Sequence, residues 1–284
     1  EADVCDSQVL SKTLQKYTIN KIVHLAAQAG VRYSLSNPSA YTHNNIDCFL
    51  TLLETIKTQN IHLVYASSSS VYGLNTKIPF AETDGVENAT SMYATTKRST
   101  ELMARTYFNL YGLKSIGLRF FTVYGPWGRP DMAYWSFIEN IIDNRPIQMF
   151  NHGNLERDFT YIDDIVGGII QSLTIQIKRP EIINLGNNKP VKLTTFIKVI
   201  ETSLDKKAII KSVNMQAGDV PKTYADLQKA YHLLQFVPLT TIDEGIPQFI
   251  KWYKKWKTGV YNKKKTLTTQ NQNGIHIVYS GDDD

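Results

Sequence analysis

Apolar residues along the chain follow two different rhythms. Short, mainly apolar runs occur at residues 21–26, 61–66, 114–120 and 181–185, built largely from Ile, Val and Leu. Runs of this length and composition read as strands buried on both faces, as in a parallel sheet. Between and after them, apolar positions recur every three or four residues at 41–59, 91–111, 133–143, 162–173, 194–204 and 243–257. That spacing predicts amphipathic helices. Thr194-Thr195 and Asp243 stand where two of these helices would take their N-caps. Strand and helix alternate, which predicts an α/β fold with a parallel sheet covered on both faces. Tyr124-Gly125-Pro126-Trp127-Gly128-Arg129-Pro130 breaks both rhythms and reads as a structured loop. After residue 258 the chain turns polar, first Lys-rich and then rich in Thr, Gln and Asn. This tail is predicted to be largely disordered, with one short strand at 275–279.

Composition narrows the picture. With 284 residues, 42% hydrophobic and 20% charged, this is an ordinary globular chain with room for one large or two small domains. It holds no apolar run near the ~18 residues that suggest a membrane span. The net charge of +5 suits an anionic substrate. Its basic residues are dispersed except for Lys263-Lys264-Lys265, with no aromatic interleaving, so nucleic acid is not an expected partner. Cys5 and Cys48 are too few and too far apart in sequence for a disulfide framework or a zinc site, which suits a reducing, cytoplasmic setting and no bound metal.

Candidate chemistry centres on Tyr93 and Lys97, four residues apart at the head of a predicted helix and so on one face. A phenol with a reference pKa of about 10 is a weak base near neutrality. A lysine ammonium one turn away favours the phenolate, as would a nicotinium ring nearby. Upstream, at the end of an apolar strand, runs Ser67-Ser68-Ser69-Ser70-Val71-Tyr72-Gly73, with Ser68 25 residues before the tyrosine. A hydroxyl there can orient a reacting alcohol, which completes a base, a tuning charge and an orienting group. Tyr and Lys at this spacing also occur as ordinary surface pairs on helices; strand, serine run and spacing together point to redox chemistry at a sugar carbon.

With these residues in view, the chain resembles the extended short-chain dehydrogenase/reductases, and within them most closely the UDP-glucuronate 4-epimerases. The matching text runs from about Asp3 to about Tyr253. It includes His24-Leu25-Ala26-Ala27-Gln28-Ala29-Gly30-Val31-Arg32-Tyr33-Ser34, Val64-Tyr65-Ala66 with the serine run, and Tyr93-Ala94-Thr95-Thr96-Lys97. It continues through Leu118-Arg119-Phe120-Phe121-Thr122-Val123 and the loop to Ala133, then Asn151-His152-Gly153, Arg157-Asp158-Phe159-Thr160-Tyr161-Ile162-Asp163-Asp164-Ile165, Gly218-Asp219-Val220-Pro221 and Thr223-Tyr224-Ala225-Asp226.

The resemblance implies a Rossmann-type parallel sheet and a smaller interleaved substrate domain. Residues 1–124 and 157–186 would hold NAD; residues 125–156 and 187–257 would hold a UDP-sugar. It implies that Tyr93 is base and acid, that Lys97 lowers its pKa and holds the ribose, and that Ser68 orients the C4 alcohol. The two positions after Ser68 are often acidic in related dehydratases and decarboxylases. Here they are Ser69 and Ser70, which donate hydrogen bonds but shuttle no protons, so elimination and decarboxylation are disfavoured. Thr122, where related UDP-glucose 4-epimerases usually carry Asn, would leave room for a C6 carboxylate and contact it with Ser69 and Ser70.

Arg129 and Arg32 are further candidates for the substrate, Arg129 alternatively as a structural arginine bridging loop carbonyls. Arg157 matches a diphosphate-binding arginine, with an ion pair to Asp158 as the alternative. Asp219 and Thr223 fall on the ribose or phosphate side, and Gln216 stands where galactose-type epimerases have a second arginine. Met149-Phe150-Asn151 would lie beside the uracil, or simply in the core. On the cofactor side the resemblance points to Asp3 and Val4 at the adenine, Ala26 and Ala27 as small side chains permitting close approach, and Asn45. His24 reads as a core histidine, His152 as structural, and Asp163-Asp164 as a helix start. A homodimer through the 41–59 and 91–111 helices is expected, their stripe of Phe49, Leu53, Leu102, Met103 and Tyr107 otherwise reading as core.

One departure stands out. The family opens with a strand, a glycine-rich turn and a helix that hold the dinucleotide pyrophosphate. No G-x-x-G-x-x-G occurs here, and two βαβ units, roughly 60 residues, are expected to be missing. A fragment of a longer enzyme and a genuine short form both remain open, as do 4-epimerisation of a neutral or N-acetylated UDP-sugar and a non-catalytic remnant. An exposed sheet edge would make the chain as given poorly soluble.

Overall fold

The computed structural model describes residues 2–214 and 220–259. The expectations for Gln216 and Asp219, the tail beyond residue 259 and the strand at 275–279 lie outside them.

The first half begins with α1 (Ser7–Lys16), where the Asp6 carboxylate caps the amides of Gln8 and Val9. Strand β1 (Lys21–His24), helices α2 (Val31–Ser36) and α3 (Pro38–Thr42), a π-helical turn at His43–Asp47 and α4 (Cys48–Ile56) follow. The single predicted helix at 41–59 is therefore three pieces. Its π turn points the buried Asn45 inward, a side chain whose partners lie elsewhere in the chain. Strand β2 (His62–Ser68) leads into a 3-10 turn at Ser69–Tyr72, ended by Gly73 at φ 53°. A side chain on Gly73 would also run into the Asn88 carbonyl. Helix α5 (Met92–Tyr111) is capped by the Ser91 hydroxyl, which accepts from the Ala94 amide, and stops at left-handed Gly112.

The second half contains β3 (Ser115–Phe120), β4 (Thr122–Tyr124), α6 (Ala133–Ile142), β5 (Ile147–Phe150), β6 (Glu156–Tyr161), α7 (Ile162–Thr174), β7 (Glu181–Leu185), β8 (Pro190–Lys192), α8 (Leu193–Leu204), β9 (Ile210–Val213), α9 (Gln228–Leu234) and α10 (Ile242–Lys257). Two predicted caps are corrected. Thr194 and Thr195 lie inside α8, and α10 is capped by Thr241 in a reciprocal capping box with Glu244, leaving Asp243 in the first turn. Asp163 and Asp164 occupy the first turn of α7, as read from sequence. The Asp164 carboxylate accepts from the amides of Leu239 and Thr240 and so ties down a distant loop rather than capping its own helix.

The four predicted strands form one parallel sheet in the order β1-β2-β3-β7. Its two faces separate by the alternation of β2. Leu63 and Tyr65 join Phe49, Leu53, Ala104 and Tyr107 beneath α4 and α5, while Val64 joins Ile116, Leu118, Ile165, Leu185 and Phe236 beneath α7 and α9. Small sheets unforeseen from sequence, β4-β6-β8 and β5-β9, accompany a second core of Tyr124, Trp135, Phe159, Phe196, Ile246 and Phe249, shared by α6, α8 and α10. Their strands are too short and too mixed in polarity to show a period. Leu102, expected in the core stripe, is 52% exposed on α5. Among the described residues, no helix is long and apolar enough to cross a membrane.

The cysteines correct another expectation. Although 43 residues apart, Cys5 and Cys48 are joined in a disulfide. The turn before α1 folds back onto the first residue of α4, a proximity that sequence spacing does not show.

Arg119 is a charge inside an otherwise apolar strand, and α5 supplies its partner. Glu101 receives Arg119 Nε and Nη2, each at 2.8 Å, and the Ser67 hydroxyl at 2.7 Å. Both charged side chains are nearly inaccessible, at 2% and 1%. Burial alone would push the Glu101 carboxyl up; Arg119, Ser67 and Arg98 outweigh it and hold it below the usual range. Glu101→Ala, which strands a buried guanidinium, is expected to cost about 3–5 kcal/mol in urea unfolding, and the paired Glu101→Leu/Arg119→Met change much less.

Candidate active site

Helix α5 carries Tyr93, Lys97 and Glu101 at successive four-residue steps, so all three face the carboxyl end of β2. Glu101 grips Ser67, and the next residue, Ser68, leaves the strand. Ser68 donates to the Ser70 hydroxyl and accepts from the Ser70 amide, both at 3.1 Å, which folds the serine run into its 3-10 turn. Lys97 Nζ donates to the Ala66 carbonyl at 2.8 Å. Burial lowers this ammonium to about 8. Tyr93 stands above the ordinary phenol value because burial outweighs a hydrogen bond with Ser68 and the charge of Arg129. Ser68 and Arg129 are the groups that oppose this rise.

A second set of contacts holds the loop after β1. Asn45 accepts from the Gln28 amide at 2.8 Å and donates to the Gln28 carbonyl at 3.0 Å and to Thr96 Oγ1 at 2.9 Å. Tyr41 donates to the carbonyls of Ala29 and Gly30, and its ring meets the Tyr93 ring edge-on at 6.0 Å. Ala26, Ala27 and Gly30, with φ 107° at Gly30, leave this strand end free of bulk. Nearby, half-buried His24 stacks on Phe49 at 5.4 Å. Burial and Lys97 lower its imidazole to about 3, so it is neutral. Small residues beyond a sheet's carboxyl end, a loop anchored by Asn45 and the buried Lys97 ammonium fit a dinucleotide. Asp3 and Val4 lie in the turn before α1, where the Asp3 carboxylate accepts from the Cys5 amide at 2.8 Å.

Beside this lies a cavity of 340 Å³ lined by Arg32, Thr122, Asp131, Gln148, Phe150 and Arg157 among others. Three substrate candidates, Arg32, Thr122 and Arg157, therefore share one space. Arg32 sits over the Phe150 ring at 5.3 Å, and Arg157 Nη1 donates to the Glu156 carbonyl at 3.1 Å. Arg129 lines a neighbouring 230 Å³ cavity with Trp127 and Tyr134 and pairs with Asp131 at 3.5 Å. Asp158 is engaged by the amides of Asn187, Asn188 and Ala225. Ser68, Tyr93 and Lys97 line neither cavity.

Sequence reading missed Tyr41, Glu101 and Arg119 as supports. Extending the Tyr93–Lys97 step by one more turn reaches Glu101, and a lone charge in an apolar strand marks Arg119. Tyr41, Asp131 and Gln148 carried no such signal.

The model of the NAD dependent epimerase/dehydratase family matches residues 1–186. An uncharacterized protein of Methanocaldococcus jannaschii is 53% identical over 258 residues, 89% of this chain and 79% of that protein. UDP-glucuronate 4-epimerase 4 of Arabidopsis thaliana is 44% identical over 277 residues, 91% of this chain and 63% of its own length. Among solved structures, UDP-glucuronic acid 4-epimerase of Bacillus cereus, in complex with UDP-glucuronic acid and NAD, is similar with a TM-score of 0.84 and 32% identity, over 90% of this chain and 81% of that one.

Lys97 generates a prediction in the cofactor-free chain. In NMR of labelled lysines, one resonance should titrate near pH 8 and vanish in Lys97→Arg. Since the folded value lies below that of an unfolded lysine, the unfolded chain holds the extra proton between them. Stability from this group should therefore rise as pH climbs through about 8 toward the unfolded value.

Proposed function

This chain belongs to the NAD dependent epimerase/dehydratase family, and on that premise we propose that it converts UDP-glucuronate to UDP-galacturonate by NAD-dependent 4-epimerisation through a 4-keto sugar. What carries the reading is the helix that directs Tyr93 and Lys97 at the serine turn after β2, beside a cavity lined by Thr122, Arg32 and Arg157. Likeness to enzymes of that activity supports the same substrate.

NAD, held by the loop after β1 and by Lys97, would supply a reversible hydride acceptor for C4. The chain's own residues do the rest. Tyr93 takes the C4 hydroxyl proton and later gives it back. Ser68 hydrogen-bonds both Tyr93 and the alcohol, which aligns the transfer. Lys97 carries positive charge toward the cofactor ribose. Asn45 and Tyr41 hold the 27–30 loop against α5, with Ala26 and Ala27 at the cofactor and Asp3 and Val4 at its adenine. Ser69, Ser70 and Thr122 grip the sugar carboxylate, Arg32 and Arg129 add charge, and Arg157 binds the diphosphate. Because the 4-keto sugar must turn over before the hydride returns, the pocket holds UDP firmly and the sugar loosely.

We assign residues 1–124 and 157–186 to the dinucleotide half and 125–156 and 187–257 to the UDP-sugar half. The core around α6, α8 and α10 supports the second assignment in the main, although it also takes in Tyr124, Phe159 and Tyr161 from the first half, and α9 of the second half packs beneath the β2-β3 sheet. We place the reaction in the cytoplasm, feeding polysaccharide synthesis. Exposed Leu50, Leu102, Leu110 and Tyr111 on α4 and α5 support a homodimer through those helices.

Incubation with UDP-glucuronate and NAD+, followed by NMR, should yield UDP-galacturonate. Tyr93→Phe should slow it by at least about 10³-fold with little change in UDP binding. Turnover unaffected by that change would remove Tyr93 from the reaction. Thr122→Val should raise KM for UDP-glucuronate about tenfold relative to UDP-glucose through a lost carboxylate contact; equal effects on both sugars would count against this role.

A further inference from the structure

The Cys5–Cys48 disulfide takes no part in the proposed reaction, yet a third reactive group attends it. His43 Nε2 lies 3.9 Å from Cys5 Sγ, and its Nδ1 faces Asp47 Oδ2 at 3.4 Å. Asp47 thus orients the imidazole so that its free nitrogen meets sulfur. Access is one-sided: Cys48 is 1% exposed, while Cys5 is half-buried in a surface turn beside the exposed His43. We propose that Cys5–Cys48 is a thiol-exchange site that takes low-molecular-weight thiols and disulfides, with Cys5 as the reacting sulfur and His43 as the group that stabilises it.

A thiolate RS⁻ attacks Cys5 Sγ, the Cys5–Cys48 bond breaks, and its electron pair leaves on Cys48 Sγ, which takes a proton from water. A second RS⁻ attacks the R sulfur of the mixed disulfide. RSSR forms, and Cys5 leaves as a thiolate beside His43. Two small thiols are oxidised and one protein disulfide is reduced; the reverse restores the bond. The donor atoms of Cys5, His43 and Cys48 lie within 4.8 Å of one another, which would also admit a soft metal ion. Joined to each other, the two sulfurs offer no thiolate to such an ion, so a metal would compete only for the reduced pair.

The position gives the exchange a consequence. The Cys5 amide holds the Asp3 carboxylate, and Cys48 lies three residues beyond Asn45. The disulfide therefore ties the Asp3 turn to the segment that anchors the 27–30 loop, and reduction releases that turn. This coupling rests on the reading of Asp3, Val4 and Asn45 as dinucleotide contacts; the exchange itself does not.

The test equilibrates the chain with reduced and oxidised glutathione, traps it by alkylation and weighs the cysteine peptides. A glutathione adduct should form at Cys5 and not at Cys48, and should persist in Cys48→Ser. In the reduced chain, His43→Ala should slow alkylation of Cys5 about tenfold while leaving the fold intact by circular dichroism. No adduct at Cys5, an adduct mainly at Cys48, or unchanged Cys5 reactivity in His43→Ala would overturn the proposal. So would stoichiometric zinc uptake by the reduced chain that blocks exchange, which would mark a metal centre instead. Fluorescence titration should show NAD+ binding at least about threefold weaker after reduction. Equal affinity in both states overturns the coupling alone. Failure to bind NAD+ in either state overturns the functional reading, with exchange still judged by mass.

Discussion

One buried carboxylate holds the centre of this molecule together. Glu101 reaches from α5 to receive Arg119 of β3 in a two-pronged pair and Ser67 of β2 in a hydrogen bond. Three elements meet at one charge in a water-poor space, where geometry is strongly specified because any unmade bond leaves an expensive orphan. The rotation of α5 about its axis follows from that contact. Once Glu101 is set, Lys97 and Tyr93 are set one and two turns away. Ser68 is set from the other side, as the residue after the one Glu101 holds.

A second clamp builds on the first. Asn45, turned inward by a π-helical turn, joins the Gln28 backbone to Thr96 of α5. Tyr41 closes the same loop through Ala29 and Gly30 and leans on Tyr93. The loop that would meet the cofactor and the helix that carries the proposed base are therefore fastened to each other. Small residues keep the strand end open, and polar side chains keep it in place. The disulfide adds a covalent link from the Asp3 turn to the start of α4, on the same side of the molecule.

Legibility from sequence followed locality. The strand at 181–185 and the helix at 91–111 were readable almost to the residue, since each carries its own period and its own end signal. Glu181–Leu185 is a short run with Ile182, Ile183 and Leu185 as its apolar residues, and Ser91 and Gly112 bracket α5. The 41–59 helix was readable as helical but not as broken, because the break serves Asn45's partners 17 and 51 residues away. Three-residue strands such as β4 and β8 show no period and exist only because β6 lies between them. Tyr93, Lys97 and Ser68 could be singled out by spacing; the carboxylate and guanidinium that support them could be suspected only from a third helical step and a misplaced charge.

The chain's spacing by itself determined which residues share a helix face, which strands run buried and parallel, and which family the text resembles. These follow from backbone geometry over a few residues, where period and side-chain direction are coupled. Tertiary structure alone decided that Arg119 answers Glu101, that Arg32, Thr122 and Arg157 share one cavity while Arg129 lines another, and that two cysteines 43 residues apart meet beside a histidine. Those pairings depend on how whole elements stack to bury their apolar faces. Stacking fixes distances between residues remote in sequence, which no local period encodes.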